Sequence, residues 1–598
     1  MLARTDFDWR PVGLVMLFAV FLALFNLEHV ANLAMVGNDD LMRLQQIRDL
    51  VAGGSWWDTH QDRFSTGVAA NIHWSRLPDL GPAVLIWGLS PVLGTDLAER
   101  VAVALWPTLL LLATLTGVSV AGRNLGLGGR AVAVAAFILI VSSPAIQFAP
   151  GRIDHHGLLI CLMIWIIVAL TAPRASLASG LGAGALVALA LGTAIEPLPY
   201  AAVAIAGAGL FWVARGEREA PRLAGFGIAL AAGALLVFLF DAPGPGAARA
   251  TCDAFGRFHV SGLVAGGLGL ALLARFGQGL NGPAVRLAAG GAAGAAAALA
   301  AVLADPACLG SPYGAVDDAT RLQWMGKVGE AKPVLDQWSS NWPASLHRYG
   351  LILLGLAGLA WVWKRAPGPT QAGWLLVAGL VVAALGVSLW QTRGASFGIA
   401  FAALALGAAA EAALRRPRPE GTTPVVVLFV AIALLVFPTA WQRFVPDDDG
   451  NPATSSAVAE KVDCSDPANF ATLADLPAGR VMSPVDLGPN ILVHTPHTIL
   501  AAPYHRNGEA IIASIETFRA KPDAAEARVR GRSADYLAIC FHQPEVESHV
   551  GAAPDGLAAA LQAGEVPGWL SRVAAPSETP GNAATVAVYR VRPDADSP

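Results

Sequence analysis

The chain has 598 residues, 55% of them hydrophobic and 14% charged, with a formal net charge of −4. Soluble proteins carry charge on about a quarter of their residues, so most of this chain belongs in lipid. The near-neutral balance, with no run of Lys or Arg, excludes nucleic acid as a partner.

Apolar stretches long enough for a hydrocarbon core of roughly 30 Å recur from Pro11 to Val445. In chain order they fall near 11–35, 98–121, 131–148, 156–172, 177–195, 198–214, 223–240, 263–275, 287–304, 349–363, 373–390, 396–414 and 424–444. That pattern predicts about 13 transmembrane helices, the first of them retained, because no small-residue cleavage site follows it. Arg123 and Arg130, Arg174, Arg215 with Arg218 and Arg222, Arg275 and Arg286, Lys364 and Arg365, and Arg415, Arg416 and Arg418 mark alternate connections as cytoplasmic. The intervening connections 36–97, 241–262 and 305–348 are long and lie on the opposite side. By this parity residues 1–445 are a membrane domain. Residues 446–598 emerge on the outer face as a small soluble α/β domain, periplasmic in a bacterial inner membrane. Leu80 to Gly94, too short and Pro-broken to span, reads as a helix lying on the outer leaflet.

Cys161 sits in an apolar stretch, whereas Cys252, Cys308, Cys464 and Cys540 fall in polar ones. An oxidising compartment favours pairing Cys252 with Cys308 and Cys464 with Cys540.

The polar motifs collect on the outer side. Gly37-Asn38-Asp39-Asp40 sets adjacent carboxylates at the end of the first helix, where Asp39 has either a chemical role or that of a cap for a helix starting near Leu41. Arg152-Ile153-Asp154-His155-His156 packs four titratable residues into one short loop. An acid beside two imidazoles has the ligand types of a divalent metal, with Asp40 as a further ligand, and the arginine suits a phosphate oxygen. Glu196 interrupts the outer end of an apolar stretch, a placement that marks function, and Arg393 at another boundary suits a lipid phosphate. Trp56-Trp57-Asp58 suits sugar binding or interfacial anchoring. Tyr504-His505-Arg506 is a polar cluster of the tail, with Tyr504 suited to substrate and His505 and Arg506 to phosphate. Four separate connections thus deliver ionisable groups to one face.

Together these features resemble the GT-C class of membrane glycosyltransferases, and within it the oligosaccharyltransferase-like branch, over nearly the whole chain. Asn38-Asp39-Asp40 matches that branch's first acidic motif by position and Asp154 its second, while Glu196 loosely suggests the later acidic position. The resemblance implies a polyprenyl phosphate or diphosphate sugar donor, a glycan, lipid or protein acceptor, and Asp39, Asp40, Asp154 and Glu196 as catalytic acids; the acid and imidazole ligands leave open whether Mg²⁺ or Mn²⁺ is required as cofactor. Two features depart from the branch: Asp154-His155-His156 replaces its acidic second motif, and the tail lacks a Trp-Trp-Asp-Tyr-Gly acceptor motif. A polytopic lipid transporter is the competing reading, but the chain shows no repeated halves and no midplane charges.

Overall fold

A computed structural model describes residues 7–25, 27–65, 69–241, 243, 251–340, 342–366, 368–415, 464–541, 543–573 and 586–593. A helix covers each of the first twelve expected apolar stretches, and the stretch 424–444 lies outside the described residues. Among the described helices seven are long and apolar enough to cross a membrane: Thr95–Asn124, Leu198–Arg218, Ala220–Phe240, Arg257–Gly279, Pro283–Ala304, Thr370–Trp390 and Gly394–Ala412. Arg10–Phe25, Gly129–Ile140, His155–Leu170, Leu177–Thr193 and Arg348–Trp363 are apolar but shorter.

Sequence sets the helix starts and the packing. Ser176 and Ser179 form a reciprocal capping box at the head of Leu177–Thr193. A proline in the first turn of Leu198–Arg215 and of Ala220–Phe240 occupies a position where the missing N–H costs nothing. Helices Leu177–Thr193 and Ala220–Phe240 approach so closely that a Cβ at Gly180 would strike the carbonyl of Arg222. Such close contact of small residues is what holds helices together where lipid removes the hydrophobic drive.

Leu80–Leu93 is a helix containing Pro91, as its sequence suggested. Both expected disulfides are present, Cys252–Cys308 and Cys464–Cys540, and Cys161 is buried and free.

The described tail, 464–593, is mixed α/β, but its sheet is not made by the tail alone. Strands β1 (His60–Ser65) and β2 (Ala69–Asn71) come from the connection 36–97, and β3 (Arg480–Met482), β4 (Thr498–Ile499), β5 (Tyr536–Ile539), β6 (Leu570–Arg572) and β7 (Ala587–Val591) from the tail. Their order is β2-β1-β4-β3-β5-β7-β6. The centre is parallel, with Phe64 opposite Ile499, Val481 opposite Ile499 and Val481 opposite Tyr536, and β7 runs antiparallel to β5 and β6.

One apolar core joins the two segments, with Met42, Phe64, Ala70 and Ile72 against Phe470, Val481, Ile491 and Tyr504. The seam is also hydrogen-bonded: Arg48 donates to the carbonyl of Val493 (2.8 Å), Arg63 to that of Thr495 (2.9 Å), and Tyr504 Oη to that of Asn38 (3.0 Å). The sequence boundary at 445 therefore does not separate two independent packing units; the first long connection is built into the tail's core.

Candidate active site

The helix Asn38–Val51 carries the first acidic pair. It begins at Asn38 with Gly37 in the cap position and no side-chain cap, so Asp39 is a first-turn residue and not the cap. The two acids then part company. Asp40 is fully buried and both its oxygens are occupied: Oδ1 accepts the Asp154 backbone N–H (2.8 Å) and Oδ2 accepts Arg152 Nη1 (2.9 Å). Asp39 is half-buried, lines the large cavity, and takes part in no hydrogen bond or ion pair among the described residues.

Asp154 caps the helix His155–Leu170 by accepting the His155 backbone N–H (2.7 Å). The same carboxylate meets both imidazoles, with His155 Nδ1 2.5 Å from Oδ1 and His156 Nδ1 2.5 Å from Oδ2. In a neutral ring that keeps its hydrogen on Nδ1, toward Asp154, the Nε2 atom carries a lone pair. The Nε2 atoms lie 3.5 and 3.3 Å from Glu196 Oε2, at ion-pair distance, and all three atoms are buried without a hydrogen bond among the described residues. A proton on either ring pairs it with Glu196, and with both rings neutral the three atoms are converging acceptors that a cation satisfies, so Asp154, His155, His156 and Glu196 fit a divalent ion. Asp40, expected as a further ligand, is committed to Arg152 and the Asp154 backbone instead.

Electrostatics separate the acids further. Burial, with the charges of Asp154 and Glu330, pushes the Asp39 carboxyl up to about 7. Burial also opposes ionisation of Asp154, but the flanking imidazoles hold it well below the usual carboxylate range. Glu196 is likewise buried against its charge and held well below by Arg393 and His156. A neutral-range acid beside permanently ionised ones is the pattern of a proton acceptor among electrostatic partners.

The cavity measures about 890 Å³. Asp39, Arg152, His155, His156, Glu196, Arg393, Tyr504, His505 and Arg506 all line it, whereas Trp56, Trp57 and Asp58 do not. Trp56 instead donates Nε1–H to the carbonyl of Phe240 (2.8 Å) and packs with the apolar cluster around Leu41 and Ile86, Trp57 is exposed, and Asp58 pairs with exposed His60 (2.9 Å). Arg393, suited to a lipid phosphate or a headgroup anchor, pairs with Glu196 and reaches Glu330 at 3.3 Å. His505 and Arg506 are also engaged: Asp253 accepts His505 Nε2 (2.8 Å) and Arg506 Nε and Nη2 (3.0 and 2.8 Å).

Sequence reading passed over three contributors. Arg43, one turn beyond Asp39 and Asp40, is buried, pairs with Asp79 (2.8 Å) and Asp154 (3.5 Å), and lies over the Trp74 ring (4.7 Å); the i, i+3 and i, i+4 spacing was the available signal. Glu330 and Asp253 come from long connections and carry no local motif, whereas His73 opens the stretch His73-Trp74-Ser75-Arg76-Leu77-Pro78-Asp79, whose aromatics and interleaved charges suit sugar stacking, phosphate binding or interfacial anchoring.

No family model and no curated protein sequence matches the chain. Among solved structures, the archaeal oligosaccharyltransferase AglB from Archaeoglobus fulgidus, in complex with an inhibitory peptide and a dolichol-phosphate, superposes with a TM-score of 0.58 at 13% identity, covering 90% of this chain and 72% of that one. AglB tethered to an acceptor peptide containing the NVT sequon gives 0.58 at 15% identity, with 92% and 72% covered. The form with Zn and sulfate gives 0.57 at 14% identity, with 92% and 70% covered. The chain thus has the GT-C fold of membrane glycosyltransferases, in the form that the oligosaccharyltransferase AglB takes.

Proposed function

We propose that this chain is a membrane glycosyltransferase that moves a sugar or glycan from a polyprenyl phosphate or diphosphate to an acceptor, at the periplasmic face of a bacterial inner membrane. The observation that carries the reading is Asp39: an unpaired carboxyl with a neutral-range pKa in a large cavity, ringed by Arg152, His155, His156, Glu196 and Arg393. The fold shared with AglB, solved with dolichol-phosphate and with an acceptor peptide, supports the donor class. Polysaccharide, lipid and protein remain the acceptor classes.

The reaction is a single displacement. Asp39 takes the proton of the acceptor nucleophile as that atom bonds the anomeric carbon, and the carbon–oxygen bond to phosphate breaks on the opposite face, inverting the anomeric centre. The leaving phosphate keeps the bonding electrons. Arg152 and Arg393 line the cavity as fixed cations, each held by carboxylates, and meet that charge without reorganising. A divalent cation, when bound, supplies further charge neutralisation at the phosphate oxygens, and Asp154, His155, His156 and Glu196 would hold it. Asp40 does not touch the reactants; it holds Arg152 and the Asp154 backbone in place.

The test is purified protein in nanodiscs with a panel of polyprenyl-linked sugars, with Mg²⁺, Mn²⁺ or EDTA, assayed for release of free polyprenyl phosphate or diphosphate. Release that depends on Asp39 is the expected result. Lipid crossing the bilayer intact, with no release from any donor, would instead establish a transporter.

A further inference from the structure

A second group of metal-ligand side chains lines another part of the cavity wall. His73 comes from the connection 36–97, Asp253 from the residue after disulfide-bonded Cys252, and His505 from the tail. One potential ligand atom from each lies within 4.8 Å of the other two. His505 Nε2 is 2.8 Å from Asp253 Oδ2, and the His73 ring meets the His505 ring edge-on at 4.5 Å between centroids. His73 Nδ1 is buried and has no hydrogen-bond partner.

From this geometry we propose that His73, Asp253 and His505 form a zinc site, separate from the Asp154 cluster, that clasps three chain segments around the cavity. Two imidazoles and a carboxylate are a borderline-soft set that suits Zn²⁺ better than Mg²⁺. Ligand atoms at about 2.0–2.1 Å around one tetrahedral ion stand roughly 3.3 Å apart, so the His505–Asp253 contact opens by only about half an ångström to admit it. The ion gives the orphaned His73 Nδ1 the partner it lacks. Arg506, donating to both Asp253 oxygens, fixes the carboxylate as the outer partners of metal-bound carboxylates do. The Cys252–Cys308 disulfide pins the segment that presents Asp253. The site stands apart from the transferase reading, because it needs neither donor nor acceptor.

The test is zinc binding by the full-length protein in detergent, stripped with chelator and then dialysed against Zn²⁺, with metal content measured for wild type, His73→Asn, His505→Asn and His156→Asn. The expected outcome is that His73→Asn and His505→Asn each lose one equivalent of zinc, while His156→Asn keeps it. Unchanged stoichiometry in His73→Asn and His505→Asn, or zinc lost only in His156→Asn, overturns the proposal. Should the variants fold poorly, X-ray absorption of zinc-loaded His156→Asn protein reads the ligands directly: two imidazoles and a carboxylate support the site, and a zinc shell without histidine rejects it.

Discussion

Two carboxylates face the same cavity and are treated in opposite ways. Asp39 stands without a hydrogen bond, and burial with its acidic neighbours lifts it to about 7. Asp253 accepts three hydrogen bonds from His505 and Arg506, and against the cost of burial they hold it well below the carboxylate range. A carboxyl kept near neutrality can exchange a proton, whereas one saturated with donors can only hold groups in place. The proposed function gives Asp39 the chemistry and leaves Asp253 to hold the tail's groups in place.

Removing the charge at each position without changing its shape tests that contrast. Asp39→Asn should cut donor cleavage by about 100- to 10,000-fold, the range of a lost general base, and should raise the thermal midpoint above neutral pH, where the amide escapes the cost of a buried ionised carboxylate. Asp253→Asn should do the reverse, lowering the midpoint through weaker charge-assisted bonds, worth about 1.5–3 kcal/mol each, while turnover falls less than tenfold. If the effects change places, so do the roles. Asp40→Asn separates positioning from proton transfer. Asp40 and Arg152 are a largely buried pair, and breaking such a pair costs about 3–5 kcal/mol, so this variant should lose stability and activity together. A stable, inactive Asp40→Asn protein would transfer the base to Asp40.

The pH profile is a milder probe. A base must be ionised to accept a proton, so donor cleavage should climb with pH through about 7 and level above it. Between pH 6 and pH 7 the ionised fraction, and with it the rate, grows about fivefold. The linked stability has the opposite sign. The folded value lies above the ordinary one, so the favourable contribution of protonated Asp39 is complete below about pH 4 and is lost as pH rises through about 7. In Asp39→Asn both dependences should vanish; a surviving rise in residual activity near pH 7 would assign the titration elsewhere.

Legibility in the sequence followed the length scale of the interactions. The helices were visible because about 20 consecutive apolar residues have few other fates. Asp154, His155 and His156 were visible because four titratable residues in a five-residue loop exceed what a turn needs. The topology parity gathered Asp39, Glu196 and Arg393 on one face, and the structure brings them into one cavity. Three things were hidden. Which of the adjacent acids is free depends on where Arg152 and the Asp154 backbone turn, a contact across more than a hundred residues. That His505 and Arg506 are held by Asp253 depends on the tail's seat against the second long connection. The two strands contributed by the connection 36–97 are short, and their partner Ile499 lies more than four hundred residues away.

The Trp56-Trp57-Asp58 motif sets the smallest expected effect and a sharp limit on the cavity. Aromatic and acidic residues in sequence suggested sugar stacking or interfacial anchoring, but Trp56 packs in the apolar cluster around Leu41 and Ile86 and donates Nε1–H to the carbonyl of Phe240. Trp57 is 45% exposed, and Asp58 pairs only with exposed neighbours or through its backbone. An exposed tryptophan near a membrane surface needs no more than an interface to sit in. Trp57→Ala should therefore leave KM for the lipid-linked donor and the maximal rate within about twofold, since substitutions away from packed or charged features change little. A tenfold rise in KM with the maximal rate intact would mean that donor binding extends beyond the cavity onto this loop, and that the division between chemistry and assembly holds only for the groups inside it.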